Sequence, residues 1–200
     1  MRAVMSVASH EILDWRKKRE QDQWDEMWEG ELHMPPMPNR YHNDLESHLG
    51  GYLRIRWARP INAKVYHQIN LASIGGWPNR NYRIPDLLLL TQDRFGIDFN
   101  EYFEGAPNVV IEIRSPGDET YEKFSFYAKL GVPELWVIQR DTGEPEIYLL
   151  RRGRYRQVKA QANGWVHSAF TGIEMTAAES GKLAIRLKGD ASTEAELPEE

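Results

Sequence analysis

The sequence predicts a mixed α/β fold, a central β-sheet flanked by helices with antiparallel strands added toward the C-terminal end. Three observations lead there. Leu87–Leu90 and Val109–Ile113 are continuous apolar runs, the pattern of strands covered on both faces. Tyr41, Leu45, Leu49 and Tyr52, and again Thr120, Phe124, Tyr127 and Gly131, recur at helical spacing. From Pro145 onward, short strand-like runs alternate with turn signals. The resulting order is helix, strand, strand, strand, helix, strand and then antiparallel additions, which makes a mixed sheet with helices on its faces.

Each element has its own justification. Residues 10 to 24 mix charge with Ile12, Leu13, Trp15 and Trp24 and favour a helix, and MWEGELHM reads as a hairpin turning at Glu29 and Gly30. The run MPPMP excludes regular structure, because proline lacks the backbone donor. Asn39 is an N-cap candidate for a helix over about 40 to 54, and AKVYHQINLAS has the β-branched and aromatic content of a strand ending at the Gly75, Gly76, Trp77, Pro78 turn. A strand begins near Pro85, and the polar, aromatic segment 91–108 reads as a surface excursion. Asp118 is positioned to cap the next helix, which Gly131 and Pro133 stop; ELWVIQ follows as a strand. EIYLL, RYRQV, GWVHS and KLAIRL supply the C-terminal strands.

The chain of 200 residues fits one domain, expected over 1–190 with its core at about 24–150. It contains no cysteine, which excludes disulfides, thiolate metal sites and a cysteine nucleophile, and the expected compartment is the cytoplasm. The stretch MRAVMSVASHEILDW is too short in apolar residues for a signal peptide, and no run approaches the ~20 needed to cross a membrane. The formal charge is −5, but Glu194, Glu196, Glu199 and Glu200 contribute four of it, so residues 191–200 read as an acidic, disordered tail. Basic clusters stand at Arg16–Arg19, at Arg54, Arg56 and Arg59, at Arg80 and Arg83, and at Arg151–Arg156. Each is either a solvated face or a phosphate contact.

The chemistry rests on two acids. Asp86 stands at the mouth of one apolar run and Glu112 inside the other, where an unpaired charge costs several kcal/mol. Carboxylates on neighbouring strands supply hard oxygen ligands for magnesium or manganese, which keep several waters and need only one or two protein carboxylates. An ion so held activates water and stabilises charge in phosphodiester hydrolysis. Structural alternatives stand beside this reading: Asp86 as a turn residue after Pro85, Glu112 paired with Arg83 or Arg114, and Lys123 paired with Glu119 along a helix. No glycine-rich phosphate loop, no Gly-x-Ser-x-Gly elbow and no second histidine for a zinc protease helix occurs.

GEL in a hairpin, a helix with a histidine, RIPDLLLL and NVVIEIRSPGDETYEKFSFYAKLGVPELWVI together resemble the Uma-two (Uma2) family of restriction endonucleases, within the PD-(D/E)XK nuclease superfamily. The resemblance covers roughly residues 24 to 150. It implies a restriction endonuclease-like fold, metal-dependent DNA cleavage with Mg2+ or Mn2+, and a metal site on Asp86, Glu112 and the carbonyl of Ile113. The superfamily's basic residue normally stands two places after the strand acid, where this chain has Arg114. Lys123, four residues before Tyr127, occupies the place to which the working lysine has moved in related sequences. Arginine is a poor base, so the resemblance implies Asp86, Glu112 and Lys123 as catalytic, with Arg114 left to phosphate or surface. Glu31 and His42 match recurring family positions, and Glu46 lies one helical turn from His42. DNA is the implied partner and a homodimer the implied assembly, since two strands call for two sites. An inactive nucleic-acid-binding module and a purely structural domain are the competing readings.

Overall fold

In the computed structural model, residues 3–5, 10–20, 22–78 and 80–199 are described; Glu200 of the expected tail and part of the N-terminal stretch lie outside them. Strand β1 (Ala3–Met5) is followed by helix α1 (His10–Lys17). The helix expected to run to residue 24 stops at Lys17 because the chain reverses at Glu20, whose φ is +54°, and Asp25 turns back onto Arg16 at 2.5 Å. Strands β2 (Glu26–Trp28) and β3 (Glu31–Met34) form the expected hairpin, with Glu29 and Gly30 both at positive φ as a two-residue type I′ turn requires. Helix α2 (Arg40–Leu53) starts where expected: the Asn39 side chain accepts from the His42 backbone N–H. It continues through a π-helical turn at Arg54–Ala58 and a 3-10 turn at Arg59–Ile61.

The single strand expected over 63–73 is two strands, β4 (Lys64–His67) and β5 (Asn70–Ala72). Gln68 stands between them at φ +43°, a left-handed conformation that breaks the pleat, and the two strands enter different sheets. Strands β6 (Tyr82–Arg83) and β7 (Leu87–Leu90) follow; the excursion 91–108 contains a 3-10 segment and β8 (Tyr102–Glu104). Strand β9 (Val109–Arg114) leads to a 3-10 turn at Tyr121–Lys123 and helix α3 (Phe124–Leu130). Asp118 does not cap that helix. Its carboxylate accepts from the N–H groups of Ser115 and Thr120, closing a tight loop before the helix begins. Gly131, φ +88°, ends α3 as expected.

Strand β10 (Glu134–Gln139) is followed by β11 (Pro145–Arg151), β12 (Arg154–Gln157), β13 (Val166–His167), β14 (Ile173–Ala177), β15 (Leu183–Leu187) and β16 (Asp190–Leu197). The disordered tail expected from 191 onward is therefore a strand over most of its length. β16 pairs with β15, buries Leu197 and Thr193, and its Thr193 carbonyl accepts from the Tyr52 hydroxyl at 2.9 Å. Its alternation hides one face and leaves the glutamates on the other, so its acidity marks a solvent face and not an absence of structure.

The strands form three sheets, ordered β1-β3-β2-β6-β5-β8, β12-β11-β10-β9-β7-β4 and β13-β14-β15-β16. The second is the mixed sheet the apolar runs predict: β9 lies antiparallel to β7 and parallel to β10. Its two faces belong to two clusters. Leu87, Leu89, Ile111 and Trp136 pack with Leu45, Leu49 and Leu53 of α2 and with the third sheet, while Leu88, Leu90, Val110 and Leu135 pack with α3 and with Leu71 and Phe103 of the first sheet. Complete burial on both faces explains why β7 and β9 read as unbroken apolar runs.

Candidate metal centre and cleft

At the end of β9 the central sheet opens into a cleft of about 420 Å³. Continuing the β7–β9 register one step past Leu87 and Ile111 sets Asp86 opposite Glu112, which is how two strands bring the acids together. Asp86 accepts from the backbone N–H of Ile113 at 2.6 Å and meets His42 Nε2 at 2.9 Å. Glu112 follows Val110 on the face covered by α3 and is 3% exposed. Its carboxylate accepts from the Tyr127 hydroxyl, and Lys123 Nζ lies 3.3 Å from each of its oxygens. Asp86, Glu112, Ile113, Lys123 and His42 all line the cleft.

The protonation of this group follows from its burial. Loss of water pushes the Glu112 carboxyl well above the ordinary carboxylate range; the nearby charge of Lys123 opposes this, and the charges of Asp86 and Glu26 add to it. Burial pulls Lys123 down, but Glu112 and Glu26 outweigh it and hold the amine firmly protonated. Tyr127 is raised by burial and by the same acids, so it stays a neutral donor. For His42, burial lowers the pKa, and the hydrogen bond and charge of Asp86, with Glu46 and Glu112, raise it more.

Two residues to which sequence reasoning gives no role complete the arrangement, although Glu26 flanks the expected hairpin. Glu26, on β2 of the first sheet, is 3% exposed and receives Lys123 Nζ at 2.8 Å, the Ile84 N–H at 2.8 Å and Trp28 Nε1 at 2.8 Å. Lys123 thus sits between Glu112 of one sheet and Glu26 of another, and is not the helix partner of Glu119, which instead meets His33 at 3.0 Å. The second is His67, whose Nδ1 contacts Glu46 at 2.9 Å while Gln68 Nε2 donates to the other oxygen at 2.6 Å. Glu46 is buried one turn from His42, and one donor atom from each of His42, Glu46 and Asp86 lies within 4.8 Å of the others. Glu26, the residue before MWEGEL, and the histidine in KVYHQ had no local signal; only the fold brings them in.

Other expected residues go elsewhere. Arg114 Nη1 donates to Gln139 at 2.9 Å and its guanidinium lies over Tyr121, so it is engaged beside the cleft and does not line it. Glu31 is exposed at the hairpin turn, two residues before His33 and roughly 7 Å away along the strand. Arg83, placed among the basic clusters, is buried between the rings of Trp28 and Phe126. The arginine that does line the cleft is Arg140, which donates to Ser115 Oγ at 3.1 Å.

The donor set suits a divalent ion. Carboxylate oxygens are ligands that magnesium and manganese prefer, an imidazole nitrogen suits transition-metal ions, and His42 Nδ1 is buried without a hydrogen-bond partner. A model of the Uma2 family, described as "Putative restriction endonuclease", matches residues 10–178. Among solved structures, the crystal structure of "a putative nuclease belonging to DUF820" from Anabaena variabilis ATCC 29413 aligns with a TM-score of 0.58 over 74% of this chain and 82% of that one, at 18% identity. That likeness shows the fold, and the restriction endonuclease-like α/β architecture holds for this chain. No curated protein matches the sequence.

Proposed function

The chain belongs to the Uma2 family, and from that membership and its cleft we propose that it is a metal-dependent endonuclease that hydrolyses DNA phosphodiester bonds. The observation that carries the reading is the lysine: Lys123, supplied by the turn before α3, reaches 3.3 Å from the strand acid Glu112 in the cleft that Asp86 lines. That supports the reading despite the departure at Arg114, since a cation from another element stands beside the strand acid.

In this reading Asp86 and Glu112 hold Mg2+ or Mn2+, with the Ile113 carbonyl and His42 as further donors. When bound, such an ion lowers the pKa of a coordinated water and offsets charge on the phosphate. The chain's own groups do the rest. Tyr127 and Lys123 fix the Glu112 carboxylate, and Lys123, being protonated, orients the attacking water and faces developing negative charge; it is not a base. Glu26 keeps the amine in place. Arg140, at the cleft wall, contacts a neighbouring phosphate.

Plasmid nicking in Mg2+ or Mn2+ tests the proposal. Wild type nicks, chelation stops it, and Glu112→Gln and Lys123→Met lower the rate by at least about 10²-fold, the scale of losing one preorganised charge interaction. Equal nicking by wild type and Glu112→Gln overturns the mechanism. Duplex binding without nicking by any form favours the inactive binding module.

A further inference from the structure

At the opposite end of the central sheet, β11 and β12 form a hairpin carrying Arg151, Arg152, Arg154 and Arg156 within six residues of a chain whose net charge is −5. All four arginines are exposed, and none forms an ion pair among the described residues. The register pairs Arg151 with Arg154 and Leu149 with Arg156, so three arginines share one face. The other face, with Tyr148, Leu150 and Tyr155, turns toward α3; Phe124 packs edge-on against both tyrosines.

Two local costs coincide here. Like charges directly opposite on paired strands destabilise the pair. The turn residue Arg152 adopts φ +51° beside Gly153 at +75°, a type I′ geometry that Asn-Gly or Gly-Gly makes without strain. A hairpin that breaks both rules while presenting unpaired cations has the marks of a binding element. Planar guanidinium groups spaced along a strand suit a row of phosphates.

We propose that the Arg151–Arg156 hairpin is a distal clamp for the phosphate backbone of nucleic acid, separate from the cleft. Leu149 pairs with Glu134 at the start of β10, and Arg140 follows its end. That strand length sets the clamp roughly 20 Å from the cleft, or about six base steps along a duplex. The partner of the arginines is therefore a flanking stretch of backbone and not the phosphate being cut. The clamp rests on the endonuclease reading for its substrate, but its test does not depend on cleavage.

The experiment measures binding of a fluorescent 24-base-pair duplex to the full chain, in Ca2+, over a range of salt. Changing all four arginines to glutamine is expected to weaken binding by at least about tenfold at low salt and to flatten the salt slope by ~0.9 for each phosphate no longer neutralised. The all-lysine version retains most of the slope, and thermal melting shows that both variants are folded. An unchanged slope in the glutamine variant overturns the clamp even if wild type nicks plasmid. An arginine-dependent slope without nicking sustains the clamp and removes the nuclease reading. Arginine-dependent binding to anionic vesicles with none to duplex also overturns it.

Discussion

Glu26 is the residue whose position says most about how the cleft works. A buried carboxylate taking three donors is fully satisfied, so its cost is small, and the charge it keeps serves to hold Lys123. Glu26→Gln preserves shape and the acceptor for Ile84 but removes that charge. The expected result is a fall of about 10²-fold in kcat with little change in KM for DNA, and faster labelling of Lys123 by amine reagents. Glu134 offers a second test away from the cleft. Burial raises its pKa above the ordinary carboxylate value, with the Trp136 N–H at 2.6 Å opposing the rise. A raised acid binds its proton more tightly folded than unfolded, so its stabilisation is complete below the unfolded pKa of ~4.3 and is lost as pH rises through the folded value. Glu134→Gln should therefore unfold at a higher urea midpoint relative to wild type as pH increases; a pH-independent difference would contradict this.

Among the elements, α2 shows how a residue with no side chain positions two that have them. A Cβ on Gly50 would sit 2.3 Å from His67 Cε1, so the helix can approach the ring only at a glycine. Gly50→Ala gains about 1 kcal/mol of helix propensity but displaces His67 from Glu46 and leaves a buried acceptor short of a partner, a cost of about 1–3 kcal/mol. The expected outcome is a drop of about 2–4 °C in Tm with a larger relative loss of nicking, read by calorimetry beside the plasmid assay. Regular elements with a strong period were legible in advance: the caps at Asn39 and Gly131, the Glu29–Gly30 turn, and the buried runs at β7 and β9. The split of β4 from β5 was not, because it depends on the backbone of one residue, Gln68, and glutamine carries no preference for positive φ.

At the scale of the molecule, Asp86 and Glu112 could be singled out because they lie in or beside strongly patterned segments, and Lys123 only through the family resemblance. Glu26 and His67 could not, since their role comes from sheets meeting and no spacing along the chain encodes that. The C-terminal strand was misread for a related reason: its charges dominate its composition, while its burial depends on β15 being there. Ending the chain at Lys188 would strip β15 of one of its two partners, uncover Leu183 and Ile185 on that side, and take the acceptor from Tyr52. That truncation should lower unfolding free energy by at least about 3 kcal/mol, measured as a shifted urea midpoint, and full stability in the shortened chain would refute the role given to β16.

Lys123 joins acids that belong to two sheets, Glu26 in the first and Glu112 in the second. Neither sheet can drift during evolution without moving one wall of the amine's seat. Substitutions that shift the packing of one sheet should therefore be accepted in company with compensating changes in the other, so that the two layers share a single history.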